Sequence, residues 1–95
     1  MYARVVRFTD VNPERIAEIG RRIDEQDGPP PGVDSTGFKL LVDESQGTAI
    51  FIGFFESEDK MREAAQVFEQ MDASDTPGNR ASIDQCEVKI ERSVG

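Results

Sequence analysis

Two hydrophobic rhythms run through this chain, an alternation of period two and a repeat at three and four residues. Tyr2 to Thr9 is rich in β-branched and aromatic side chains and predicts a strand, interrupted only by Arg4 and Arg7. Asn12-Pro13-Glu14 then reads as a helix start, with Asn12 as N-cap, Pro13 at the first helical position and Glu14 in the acid-favoured first turn. Ile16, Ile19 and Ile23 repeat at helical spacing, and Gly28-Pro29-Pro30-Pro31-Gly32 ends the helix near Asp27. Phe38 to Asp43 and Thr48 to Phe55 predict two strands around Glu44-Ser45-Gln46-Gly47. Ser57 caps a second helix whose apolar stripe is Met61, Ala64, Ala65, Phe68 and Met71. A polar loop from Asp72 to about Ser82 precedes a fourth strand over Asp84 to Arg92, where Cys86, Val88 and Ile90 alternate with Glu87, Lys89 and Glu91.

The order β-α-β-β-α-β is the split βαβ, ferredoxin-like arrangement: an α+β fold with a four-stranded antiparallel sheet and two helices on one face. Right-handed crossovers place both helices on that face and leave the other bare. A four-residue loop over 44–47 sets Asp43 opposite Thr48, Leu41 opposite Ile50 and Phe38 opposite Gly53. One hairpin face then carries Phe38, Leu40, Val42, Ala49, Phe51, Gly53 and Phe55. The other carries Lys39, Leu41, Asp43, Thr48, Ile50, Ile52 and Phe54. Both faces want cover, since burying one Phe or Ile contributes about 1.5–3 kcal/mol. A homodimer packed sheet on sheet is therefore expected, with Phe38, Leu40, Val42, Phe51 and Phe55 as candidate interface residues.

Composition narrows the function classes. The 95 residues make one domain over residues 1–95, with 37% hydrophobic and 32% charged side chains. A net charge of −8, from 19 acidic and 11 basic groups, argues against nucleic-acid binding and against an anionic membrane surface. No apolar run approaches the roughly 20 residues that span a bilayer, and the N-terminal residues lack a signal-peptide pattern. A single cysteine, Cys86, fits a reducing cytoplasmic setting. With no His, no Trp and one Cys, the chain offers no His-based triad and no zinc or iron–sulfur set, so neither metal nor cofactor is expected.

Several runs carry a resemblance. The opening Tyr2-Ala3-Arg4-Val5-Val6-Arg7-Phe8, the helix start Asn12-Pro13-Glu14-Arg15-Ile16, the pair Gly37-Phe38, and the run Gly47 to Ser57 resemble the dimeric α+β barrel superfamily, nearest its antibiotic-biosynthesis-monooxygenase-like group. That resemblance implies a homodimer. It also implies a function among cofactor-free oxygenases of aromatic polyketides, haem-degrading enzymes and proteins without known activity. The haem-degrading branch has a strand-one Asn where this chain has Val6, and its His and Trp have no counterpart here.

Arg4 shares strand parity with Val6 and Phe8. It is read either as a clamp for an anionic or enolate substrate or as the partner of a carboxylate. Tyr2, the only tyrosine, is either a phenolic donor or a strand-end side chain with a wet hydroxyl. Tyr2, Arg4, Val6, Phe8 and Phe68 form the candidate pocket for a small hydrophobic or aromatic ligand. Cys86 is read as a buried, inert thiol, since no His is present as its base. No acid/base or nucleophile–base pair is visible. The reading is a small-ligand-binding or structural module, with a cofactor-independent monooxygenase-like enzyme acting on a small aromatic substrate as the alternative. A regulatory amino-acid-binding domain of the same element order lacks a Gly in Asp10-Val11-Asn12 to support it.

Overall fold

The two rhythms fold into six elements in a computed structural model that describes residues 1–25, 32–70 and 76–94. They are β1 (Tyr2–Thr9), α1 (Pro13–Glu25), β2 (Gly37–Asp43), β3 (Thr48–Phe55), α2 (Glu58–Glu69) and β4 (Asn79–Glu87). The strands form one sheet in the order β2-β3-β1-β4, with every neighbouring pair antiparallel. This is the ferredoxin-like arrangement expected from the element order. The proline connector over 28–31, the helix end at Asp27 and the stripe residue Met71 lie outside the described residues.

Local chemistry fixes the turns. The Glu14 N–H donates to Asn12 Oδ1 at 2.8 Å, and the Lys60 N–H donates to Ser57 Oγ at 3.2 Å, so both expected caps form. In the hairpin, Asp43 opposes Thr48, Leu41 opposes Ile50 and Phe38 opposes Gly53, the register that a four-residue loop requires. Gly47 turns at φ 65°, where a side chain is disfavoured. The Ser45 hydroxyl donates to Asp43 Oδ1 at 2.6 Å and the Gln46 amide to Oδ2 at 2.7 Å, tying the turn to the strand end.

The core lies between the helices and one sheet face. Phe55, Met61, Ala64 and Val33 form one cluster, with Tyr2, Val67 and Phe68 packed on it. Val6, Phe8 and Ala49 form another, joined by Ile16, Leu40 and Phe51. α2 buries Met61 and Ala64, whereas α1 buries none of its residues fully. α1 reaches the core chiefly through Ile16.

Two expectations need correction. The fourth strand is Asn79–Glu87, not Asp84 to Arg92, and Ile90 is 90% exposed. Its partner decides this. β1 starts at Tyr2, which pairs with Glu87, and beyond it only one bond follows, from the Val88 N–H to the Met1 carbonyl at 2.9 Å. A register shift between Arg7 and Phe8 leaves Ala81 unpaired. Cys86 therefore faces away from the helices and is exposed, not buried.

The second correction concerns the proposed partner surface. Phe38, Leu40, Val42, Phe51 and Phe55 lie on the helix side of the sheet. Phe55 is fully buried, Leu40 and Phe51 pack on the core, and Phe38 and Val42 remain exposed at the β2 edge. The open face instead carries Val5, Leu41, Ile50, Ile52 and Phe54, which pair across neighbouring strands. The two hairpin faces are nearly equal in apolar content. On the helix side Ala49 is sealed in the cluster that Ile16 of α1 joins, and the Phe51 and Phe55 rings fold over Gly53.

Candidate functional site

β1 is central in the sheet, so its side chains are flanked on both sides by other strands. Tyr2, Arg4, Val6 and Phe8 all point to the helix face, opposite Phe55, Gly53, Phe51 and Ala49 of β3. Arg4 is the exceptional member of that row. It is 4% exposed in the middle of a strand, and it is the only buried charged residue among those described.

Phe68, on the last turn of α2, covers the Arg4 guanidinium, with the ring centroid 5.0 Å from Cζ. Nε of Arg4 is sealed from solvent and has no hydrogen-bond acceptor among the described residues. Burial pushes the guanidinium below its ordinary pKa, the positive charge of Arg80 adds to this, and Glu69 opposes it. Arginine nonetheless stays charged at neutral pH. The sheet thus holds a cation under a phenyl ring with its Nε donor unmet.

The other candidates divide by position. Val6 and Phe8, 2% and 6% exposed, are core residues. Tyr2 is half-buried and packs on the Phe55–Met61 cluster. It also lines an open cleft of about 300 Å³ between α2 and β4. Met61, Glu58 and Arg62 form the helix wall of that cleft, with Glu58 and Arg62 joined by an ion pair. Gln85, Cys86 and Glu87 form its strand wall. Gln85 opposes Arg4 in register, so the cleft and the buried cation are adjacent on the sheet.

Sequence reading did not anticipate the cleft, because it depends on β4 running over 79–87. The run Ile83, Gln85, Glu87 at alternate positions was its available signal. The structure does bring Arg4 and Phe68 together and places Tyr2 on the same face. Arg7 falls on the opposite face and is exposed. Among the described residues no group of three His, Cys, Asp or Glu side chains is placed to hold a metal ion. No described helix is long and apolar enough to cross a membrane.

Against known proteins, no family model matches the chain, and no curated protein matches it.

Proposed function

We propose that this protein is a binding module for a small ligand held between the helices and the sheet, working as a homodimeric α+β barrel. The buried, unpaired Arg4 carries the reading. A buried cation with no ion pair among the described residues and an unmet Nε is costly to desolvate, a cost that packing alone does not explain. A ligand that satisfies it turns that cost into affinity.

The dimer is supported by the apolar open face of Val5, Leu41, Ile50, Ile52 and Phe54, whose cover in this fold is a second sheet. The single cysteine fits a reducing, cytoplasmic setting. Two measurements test the reading. Mass spectrometry of the purified protein under native and then denaturing conditions should reveal a small molecule that leaves on unfolding. Light scattering should give twice the chain mass. An empty protein that is monomeric at micromolar concentration would remove both halves.

Tyr2 on the cleft favours a second reading, a cofactor-independent oxygenase of a small aromatic substrate. Oxygen uptake with a dihydroxynaphthalene that disappears in Tyr2→Phe would support it. Uptake unchanged by that variant would exclude Tyr2 from the chemistry.

A further inference from the structure

A guanidinium carries five N–H donors in one plane, and a ring stacked on its face satisfies none of them. Cζ of Arg4 lies over the Phe68 ring, 5.0 Å from its centroid, and Nε has no acceptor among the described residues. Four exposed or half-exposed cations of this chain sit in ion pairs. Arg22 meets Glu18, Lys60 meets Asp34, Arg62 meets Glu58 and Lys89 meets Glu87. With 19 acidic side chains available, a carboxylate for Arg4 would be easy to supply. Yet no ion pair forms at Arg4 among the described residues. Arg80 adds positive charge nearby and Glu69 offsets part of it, without closing to an ion pair with Arg4.

Aromatic rings lead from this cation to solvent. Phe68 meets Phe51 edge-on at 6.3 Å and 66°. Phe51 stacks on Phe38 at 5.5 Å and 16°, and Phe38 is 45% exposed at the sheet edge. Gly53, between Phe51 and Phe55, has no side chain to hold these rings apart, and a Cβ there would stand 3.3 Å from the Phe55 ring.

We propose that Arg4 and the Phe68–Phe51–Phe38 track bind a small monoanion with a flat apolar body, a carboxylate of the aromatic-acid type. Its carboxylate accepts from the in-plane donors of Arg4 and its body lies on the rings. This rests on the small-ligand reading above and names the ligand class. A carboxylate matches the guanidinium edge with two parallel hydrogen bonds. A neutral ligand of the same shape leaves the charge uncompensated, and a bare anion leaves the aromatic track unused.

The test is calorimetric titration of the full chain at neutral pH with three probes: 2-naphthoate, the neutral 2-naphthalenemethanol, and inorganic phosphate. Naphthoate should bind at least about tenfold more tightly than either other probe, the scale of one charge-assisted pair. Arg4→Met should remove that advantage and leave the alcohol unchanged. Arg4→Lys, which keeps the charge but loses the fork, should fall between, and it serves alone if Arg4→Met does not fold. Equal binding of naphthoate and alcohol, unmoved by either variant, would overturn the anion claim and leave the small-ligand reading standing. Phosphate binding as tightly as naphthoate would overturn the apolar body. Heat from none of the probes would overturn the proposal, and the small-ligand reading would then rest on the mass-spectrometric result alone.

Discussion

At the scale of single residues, Arg4 sets the proposed function against stability. Its side chain is buried with a donor unmet, and an unmet buried donor costs the folded state free energy. Arg4→Met keeps an unbranched chain under Phe68 and removes the charge. It should raise the urea midpoint, with a gain on the order of 1–3 kcal/mol. A lower midpoint would mean that the guanidinium is compensated in the free protein. Phe55 sits at the other extreme, fully buried against Met61 and Ala64. Phe55→Ala should cost about 3–5 kcal/mol in the same measurement. Gly78 is constrained by backbone. A Cβ there would press on the Thr9 carbonyl oxygen and lie 3.1 Å from that of Asp10, itself at φ 52°. These atoms are backbone and cannot rotate away, so Gly78→Ala should cost about 1–3 kcal/mol.

At the scale of elements, the hairpin was the most legible part of the sequence. Gly47 and the four-residue loop set the register, and the strands followed. Its turn also carries a pH dependence. The Ser45 hydroxyl first, then the Gln46 amide, hold the Asp43 carboxyl below its usual range. The stability this contributes is present above the ordinary carboxylate pKa and disappears as pH falls through the lowered folded value. Asp43→Asn should therefore flatten the acid limb of a urea-midpoint series taken from about pH 5 to about pH 2. A limb as steep as that of the parent would assign the acid sensitivity elsewhere. β4 was not legible, because residues 84–92 alternate as well as 79–87 do. Alternation describes a strand's faces, but only β1 says where a strand finds hydrogen-bond partners. The helices differ for a related reason. Ile16, Ile19 and Ile23 form a proper stripe, yet the sheet beneath α1 gives them partial cover. Amide exchange in α1 should accordingly run faster than in α2, where Met61 and Ala64 are sealed. Equal protection would show that α1 has cover beyond the contacts of Ile16.

At the scale of the whole molecule, the candidate site was half legible. Parity along β1 grouped Arg4 with Val6 and Phe8, and the stripe of the second helix grouped Phe68 with them, but Arg4's lack of a partner cannot be read from spacing. Which sheet face the helices take was likewise open, since Phe51 and Phe55 on one side nearly match Ile50, Ile52 and Phe54 on the other. If the second face is covered by a second copy, Ile52→Lys should break the assembly and leave the monomer folded. Halved mass in light scattering with an unchanged circular dichroism spectrum would be the expected pair of results. An intact dimer would move the interface off this face.

The exposed position of Cys86 has a practical consequence. It is the chain's one thiol, exposed on the side of the sheet away from the helices and next in sequence to the cross-strand neighbour of Arg4. A maleimide fluorophore or nitroxide would therefore attach at a single address, with one reporter per chain and no background thiols to remove. Dye anisotropy there would report whether the open face is covered. In an assembled pair, two spin labels would define one distance, turning the arrangement of the subunits into a single measured length.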